Sequence, residues 1–176
     1  PRDTVNFGAG WTLASSEIDG TTTIDTFTQD AATLRIETLG LVRVSSRDGS
    51  DVFRLNGIDA VDRAGDSVAG IGDLNGDGLD DLIVGAYRAD PGGLSDAGET
   101  YVVFGRTGGF ASTINLGSLN GTTGFRLDGV AAFDASGRVG QGGDINGDGL
   151  DDLIIGAPGA PAAYVVFGST DPFASA

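Results

Sequence analysis

The sequence contains no cysteine, histidine or methionine, and its 10 basic residues are all arginine. Without cysteine, the chain can form neither a disulfide framework nor a thiolate metal site. Without histidine, it lacks the commonest catalytic base and metal ligand. Zinc enzymes and histidine-based catalytic triads are therefore not expected. The sequence also lacks any apolar run of about 18 residues, so we expect no transmembrane segment.

Acidic residues dominate the charge. There are 25 of them, which gives a formal net charge of -15. This charge repels nucleic acid and attracts cations, of which Ca²⁺ is the one that acidic loops most readily recruit. Hydrophobic residues make up 40% of the chain, enough for a folded core, and 31 glycines without a three-residue period predict a turn-dense β protein.

An internal repeat organises most of the chain. The stretch "FRLNGIDAVDRAGDSVAGIGDLNGDGLDDLIVGAY" returns as "FRLDGVAAFDASGRVGQGGDINGDGLDDLIIGAP", with "YVVFG" after each. The period is about 71 residues. Most of the length difference lies in the loop before "YVVFG", where such changes cost little. A repeat of this length predicts two copies of one structural unit.

Each copy has the pattern of short strands between glycine turns. Apolar, β-branched and aromatic runs predict strands near Phe53–Leu55, Ser67–Ile71, Leu82–Ala86 and Tyr101–Phe104, and again near Phe125–Leu127, Val139–Gly142, Leu153–Ala157 and Tyr164–Phe167. Four short strands per copy are typical of a propeller blade.

A loop rich in oxygen donors precedes the most apolar strand of each copy. At positions 1, 3, 5 and 9 it carries side-chain oxygens, and at position 7 a leucine carbonyl. The candidate ligands are Asp73, Asn75, Asp77, Leu79 and Asp81 in the first copy, and Asp144, Asn146, Asp148, Leu150 and Asp152 in the second. Ca²⁺ takes six to eight oxygens, so the spacing predicts two calcium sites, one per copy.

An EF-hand is not the match for these loops. Position 12, where an EF-hand places glutamate, is Val84 or Ile155 inside a strand. Turn propensity of Asp, Asn and Gly is the alternative explanation, but it does not require five donors at a fixed spacing twice. Asp80 and Asp151, at position 8, are expected to be solvated or to support the ligands.

Residues 53–168 resemble two FG-GAP repeats, the blade unit of integrin α-subunit propellers and of large bacterial surface proteins. The motifs "GDINGDGLDDLIIGAP", "YVVFG" and "LGSLNGTTGFRLDGV" carry the resemblance. It implies a calcium loop per blade, an extracellular or cell-surface location and no catalytic role. The chain departs from the family at Ala64-Gly65 and Ser136-Gly137, where Phe-Gly is usual, and at Tyr87, which ends the first "GAP" motif. These departures concern packing.

The expected fold is all-β, with two four-stranded blades after a small β-rich segment. We assign residues 1–50 to the N-terminal segment, 51–124 to the first repeat, and 125–176 to a second repeat that is incomplete at its C-terminal end. Candidate N-terminal strands are Thr4–Phe7, Trp11–Ala14, Thr22–Phe27, Thr33–Glu37 and Leu41–Ser45. The segment resembles a short β module of large bacterial surface proteins, the adhesin type. Because residue 1 is Pro, we also expect a processed product or a fragment.

Two blades cannot close a propeller ring, which takes about four to eight. An unpaired edge invites another strand, and head-to-tail addition without closure gives a polymer. The sequence therefore predicts two kinds of partner: the chain itself, as a filament subunit joined by β-strand addition, or further blades of a longer chain. The donor strand is expected within residues 1–50, for example Thr33–Ser45.

Three function classes remain. A non-catalytic, calcium-binding structural module comes first, and a fragment of an adhesin that binds carbohydrate or protein ligands comes second, with glycans as a candidate partner. An enzyme comes last, because the carboxylate pair of Asp80 and Asp81 already belongs to the metal motif and no further constellation of nucleophile and base is present. Asn120, in the sequence Asn-Gly-Thr, is a candidate glycosylation site.

Overall fold

The computed structural model describes residues 12–19, 22–29, 32–39 and 52–173. These residues form strands, turns and two short 3-10 turns at Pro91–Gly93 and Leu116–Ser118, without an α-helix. The all-β prediction is confirmed. The candidate strands Thr4–Phe7 and Leu41–Ser45 lie outside the described residues. No helix in the described part of the chain is long and apolar enough to cross a membrane.

Two compact units divide the chain, residues 1–46 and residues 47–176. The first contains strands β1 (Thr12–Asp19), β2 (Thr22–Gln29) and β3 (Ala32–Leu39). They form an antiparallel sheet in the order β1-β2-β3, and β3 pairs with β2 along its whole length. Each of these strands is longer than the sequence pattern predicted, and β1 begins at Thr12.

The second unit contains both repeats. Its strands are β4 (Arg54–Asn56), β5 (Ser67–Gly72), β6 (Asp81–Ala86), β7 (Glu99–Val103), β8 (Thr113–Asn115), β9 (Gly124–Asp128), β10 (Arg138–Gly143), β11 (Asp152–Ala157) and β12 (Ala162–Val166). An antiparallel first sheet has the order β5-β6-β7-β9, and a second has the order β10-β11-β12. Strands β4 and β8 form a parallel pair.

The central strand of each sheet follows from its sequence. β6 and β11 are nearly identical, "DLIVGA" and "DLIIGA", and carry apolar residues on both faces. Continuous apolar runs of this length are typical of strands covered on two sides. Alternate residues therefore reach two different cores: Ile83 packs on one side of the first sheet and Val84 on the other.

Strand β9 shows that the sequence repeat and the sheets are out of phase. Phe125 begins the second sequence repeat, yet it lies opposite Val102 of β7 and completes the first sheet. The first sheet is therefore four-stranded, whereas the second has three strands within residues 52–173. A boundary between residues 124 and 125 passes through the first sheet.

The main core lies between the two sheets. It combines apolar residues of the first sheet, its loop and β9 with residues of β11, namely Ile71, Leu74, Ile83, Val102, Phe104, Phe125, Leu153 and Ile155. A second cluster covers the opposite face of the first sheet, where Tyr101 and Val103 pack with Leu116 and are flanked by Leu55 of β4. The first sheet is thus covered on both faces.

The two sheets also meet through their backbones. A Cβ on Gly85 of β6 would collide with the carbonyl of Gly137, and the backbone N–H of Ser136 donates to the carbonyl of Ala97 (3.0 Å). Ser136 is buried at this contact. On the other side of the same contact, the Arg138 guanidinium lies 5.4 Å from the Tyr87 ring centroid.

Candidate functional site

The loop from Asp73 to Asp81 wraps its own backbone around acidic side chains. Oδ1 of Asp73 accepts from the N–H groups of Gly76 (2.7 Å) and Asp77 (3.0 Å), and Oδ2 accepts from Gly78 (2.8 Å). Nδ2 of Asn75 donates to Oδ2 of Asp77 (3.1 Å). Gly76 and Gly78 have φ of 75° and 84°, which side-chain-bearing residues rarely adopt. The glycines therefore permit the turn that gathers these oxygens.

The second loop repeats this arrangement. Asp144 accepts from Gly147 (2.7 Å), Asp148 (3.0 Å) and Gly149 (2.9 Å), and Asn146 donates to Asp148 (2.8 Å). The same bonds at corresponding positions show that the nine-residue motif, and not its surroundings, determines the loop conformation. Both loops lie at the surface, with Asp77 and Asp148 exposed.

Position 9 differs from the others because its carboxylate is fully buried. Asp81 accepts from the N–H groups of Leu74 (3.0 Å) and Gly105 (2.8 Å), and Asp152 accepts from those of Ile145 (2.7 Å) and Gly168 (2.9 Å). Burial raises the pKa of Asp81 to about 6, with smaller upward contributions from Asp77 and Asp73, against the lowering effect of the two N–H donors. The position-9 residue therefore closes each loop onto its sheet.

The candidate ligand atoms are of the chemical type that a hard cation such as Ca²⁺ prefers. They are carboxylate and amide oxygens, together with the backbone carbonyls of Leu79 and Leu150. Backbone N–H groups and the Asn75 amide donate hydrogen bonds to several of these oxygens. Among residues 52–173, no group of three or more acidic side chains is drawn together closely enough to hold a metal.

One residue of the motif joins the two loops. Oδ2 of Asp151 accepts from the N–H of Asp73 (3.1 Å), and the N–H of Asp151 donates to the carbonyl of Asp73 (3.1 Å). Asp151, at position 8 of the second loop, is thus hydrogen-bonded to Asp73, at position 1 of the first loop. Sequence reasoning assigned Asp151 only a solvated or supporting role, because nothing local indicates a partner 78 residues away. Its counterpart Asp80 is exposed.

The candidate glycosylation residue Asn120 lies in an exposed turn. Its Oδ1 accepts from the N–H groups of Thr122 (3.0 Å) and Thr123 (3.1 Å), so the side chain caps the turn. Exposure agrees with what a modification site requires.

Residues 64–103 and 136–171 match the model of the FG-GAP repeat family. The chain carries two FG-GAP repeats. The first matched segment holds β5, β6 and β7, and the second holds β10, β11 and β12, so each includes one acidic loop between its first two strands.

Integrin α-subunits are similar to this FG-GAP chain. Mouse integrin alpha-IIb is 32% identical over 159 residues (87% of the chain), and integrin alpha-5 of Xenopus laevis is 34% identical over 122 residues (69%). Drosophila melanogaster integrin alpha-PS2 is 32% identical over 144 residues (74%). The chain spans only 10 to 14% of the length of these relatives.

The two FG-GAP repeats differ in how far one face of the sheet is covered. In the first repeat Leu74 and Val102 are 0% exposed and Phe104 is 7% exposed, because the second sheet packs on them. The corresponding residues of the second repeat are much more exposed: Ile145 is 50% exposed, Val165 is 45% exposed and Phe167 is 51% exposed. The second repeat therefore presents the surface that carries a blade in the first. We call this surface the open face.

Proposed function

We propose that this chain is a non-catalytic, calcium-binding structural module that acts outside the cell. The acidic loops carry the proposal: both repeats gather Asp, Asn and Asp side chains on one tight turn with the same hydrogen bonds. Carboxylate and amide oxygens are the ligands that Ca²⁺ prefers, and a bound ion would balance the negative charge that each loop carries. Two sites, one per repeat, are proposed.

The ligand set would be the side chains at positions 1, 3, 5 and 9 with the carbonyl at position 7. In the first repeat these are Asp73, Asn75, Asp77, Asp81 and Leu79. Of these, Asp81 also holds the loop through its two N–H bonds, so a bound ion would connect the exposed turn to the buried start of β6. Calcium would then stiffen the connection between β5 and β6 in both repeats.

The proposed extracellular location follows from calcium availability. Calcium sites of extracellular modules have dissociation constants of about 10⁻⁴ to 10⁻³ M, which suits extracellular concentrations. The net charge of -15 also matches a protein whose counterions include divalent cations.

A filament or surface fibre is the assembly that we favour. The open face of the second repeat exposes Ile145, Val165 and Phe167, and large contiguous apolar patches on soluble proteins mark interaction sites. Head-to-tail contact through such a face continues from copy to copy and gives a filament wherever the rotation between copies does not close a ring.

A second candidate is a fragment of a calcium-dependent adhesin that binds carbohydrate or protein ligands. The observation that favours it is the coverage of the integrin relatives, of which this chain spans 10 to 14%. In that case further blades of a longer chain would cover the open face. Electron microscopy with Ca²⁺ and with EGTA distinguishes the two: fibres favour the first, and discrete particles that bind immobilised glycans only with Ca²⁺ favour the second.

Calcium binding is tested by the melting temperature with and without millimolar Ca²⁺. We expect the shift to fall by about half in Asp77→Ala or Asp148→Ala and to vanish in the double variant, because ligand binding stabilises the folded state. Asp80→Ala is the matched control, since it removes an exposed carboxylate next to the ligand Asp81. A double variant that keeps the full shift would refute the ligand assignment.

A further inference from the structure

Strand β12 is the edge of the second sheet among residues 52–173. Its counterpart in the first sheet, β7, pairs on one side with β6 and on the other with β9. β12 pairs with β11 in the same register that β7 keeps with β6, so Val165 corresponds to Val102 and Tyr164 to Tyr101. The second sheet therefore lacks the equivalent of β9.

An equivalent of β9 exists at the other end of the second unit. The segment Phe53-Arg54-Leu55, which leads into and begins β4, repeats Phe125-Arg126-Leu127 of β9. Within residues 52–173, β4 pairs only with β8, in a parallel pair of three residues. Among residues 52–173, β4 therefore resembles β9 in sequence but pairs only with β8, and the second sheet has no strand equivalent to β9.

The hydrogen-bonding edges of the two strands are complementary. The Phe104 N–H donates to the Thr123 carbonyl (3.2 Å), so in the alternating antiparallel ladder Phe125 and Leu127 bond to β7. On β4, the Arg54 N–H donates to the Ser112 carbonyl of the segment leading into β8 (3.0 Å). Because successive backbone groups point to opposite edges, those of Phe53 and Leu55 face away from β8.

We propose that β4 of one copy adds to β12 of a second copy, in the register by which β9 adds to β7. The proposal rests on the filament part of the proposed function and names its joint. Phe53 would lie opposite Val165, Arg54 opposite Tyr164 and Leu55 opposite Ala163, by correspondence with Phe125, Arg126 and Leu127 on β7. In β9 the residue before Phe125 is Gly124, and a Cβ at that position would collide with the Val102 carbonyl. The corresponding residue before Phe53 is Val52, which has a Cβ. The pairing with β12 would therefore start at Phe53.

The joint would bury the open face in the same way that the second sheet buries the equivalent surface of the first repeat. Phe125 is 2% exposed in the core between the sheets, and Phe53 would occupy the same place beside Phe167. The earlier donor candidate, residues 33–45, is less suited, because residues 33–39 lie in β3 and already pair with β2. Residues 40–45 lie outside the described part of the chain.

A disulfide tests the register in the complete 176-residue chain, which has no cysteine of its own. Val102 and Phe125 form a hydrogen-bonded pair, so the next pair, Tyr101 and Arg126, does not, and such pairs have Cα atoms about 4.5 Å apart, close enough for a disulfide. The variant carries Arg54→Cys and Tyr164→Cys. We expect an intermolecular ladder on non-reducing gels after mild oxidation with Ca²⁺ present.

The matched control shifts one cysteine by a single residue, Arg54→Cys with Val165→Cys, which places the two thiols on opposite faces of the joint. A ladder of equal strength in both variants, or in neither, would overturn the proposed joint. Fibres in micrographs without a register-dependent ladder would leave the filament standing and refute β4 as its donor. Monomers without a ladder would refute both and make a further blade of a longer chain the occupant.

Gly156→Ala is a second test that does not perturb the fold. Its Cβ would meet the Arg138 backbone oxygen and Cβ at 3.5 Å, an ordinary contact, whereas the same change at Gly85 collides with Gly137 of the neighbouring blade. In the proposed joint, Gly65 of the copy that donates β4 would face Gly156 as Gly137 faces Gly85, so the added methyl group would collide there. We expect the melting temperature to stay unchanged and the concentration needed for assembly to rise roughly tenfold. Unchanged assembly would overturn the blade-on-blade geometry.

Discussion

The two repeats have nearly the same sequence around their central strands but very different surroundings. The first sheet is covered on one face by the second sheet and on the other by Tyr101, Leu116 and the segment around β4. The second sheet is covered by the first, and its open face is exposed. The difference teaches that burial in this fold comes from the neighbouring blade. A residue at a given position of the motif can therefore be buried in one repeat and exposed in the other.

The largest expected difference is between Phe104→Ala and Phe167→Ala. Phe104 packs in the core between the sheets, so its truncation should lower the free energy of unfolding by about 3 to 5 kcal/mol. Phe167 is half exposed, and its truncation should cost less than about 1 kcal/mol. Urea denaturation of dilute protein followed by circular dichroism measures both. Equal losses would mean that the open face is covered in solution.

A second comparison should show no difference. Asp81→Ala and Asp152→Ala each leave one buried and one partly buried N–H group without its acceptor, at roughly 1 to 3 kcal/mol per group. Because these bonds lie within each repeat, we expect equal losses of about 2 to 6 kcal/mol in EGTA. Asp80→Ala should be neutral. A much smaller loss at Asp152 would show that the second repeat is loosely folded without a neighbour.

Gly85→Ala and Gly156→Ala should differ in their effect on the free energy of unfolding. The added methyl group at Gly85 meets the Gly137 backbone, and such overpacking costs about 1 to 3 kcal/mol. At Gly156 the methyl group has room, so the free energy of unfolding should change by less than about 0.5 kcal/mol. If thermal denaturation shows the two variants to be alike, the interface between the sheets differs from the one described.

The smallest effect is expected for Asp151→Ala, compared with Asp80→Ala. Asp151 accepts one hydrogen bond from Asp73 at a partly exposed position, so its loss should cost about 1 kcal/mol, whereas the exposed Asp80 should cost nothing measurable. Amide hydrogen exchange of Asp73 is the sharper readout and should be faster only in the Asp151 variant. Unchanged exchange would contradict the link between the loops.

The sequence predicted the elements better than their partners. Strands β6, β7, β11 and β12 follow from local apolar and β-branched runs, and the two loops follow from the spacing of Asp, Asn and Gly, because these signals lie within a few residues of each other. The match of residues 64–103 and 136–171 to the FG-GAP family confirms the resemblance, whereas the repeat boundaries stay predictions. Calcium binding, its ligands and assembly stay predictions.

What the sequence could not supply was pairing across long separations. The same three letters, Phe-Arg-Leu, form the fourth strand of a sheet at Phe125 and one half of a parallel pair at Phe53. No local pattern distinguishes these outcomes, because the choice depends on which edge is available in the folded chain. The bond from Asp73 to Asp151 was missed for the same reason.

The position of β9 has a consequence for synthesis on the ribosome. The first sheet is complete only when residues 124–128 have left the exit tunnel, by which time the second repeat has begun to follow. Nascent chains ending before Gly124 would leave β7 as an edge without its partner, and unpaired edges promote aggregation. A division of the chain at the sequence repeat would therefore remove β9 from the first sheet, whereas a division after residue 128 would keep that sheet complete.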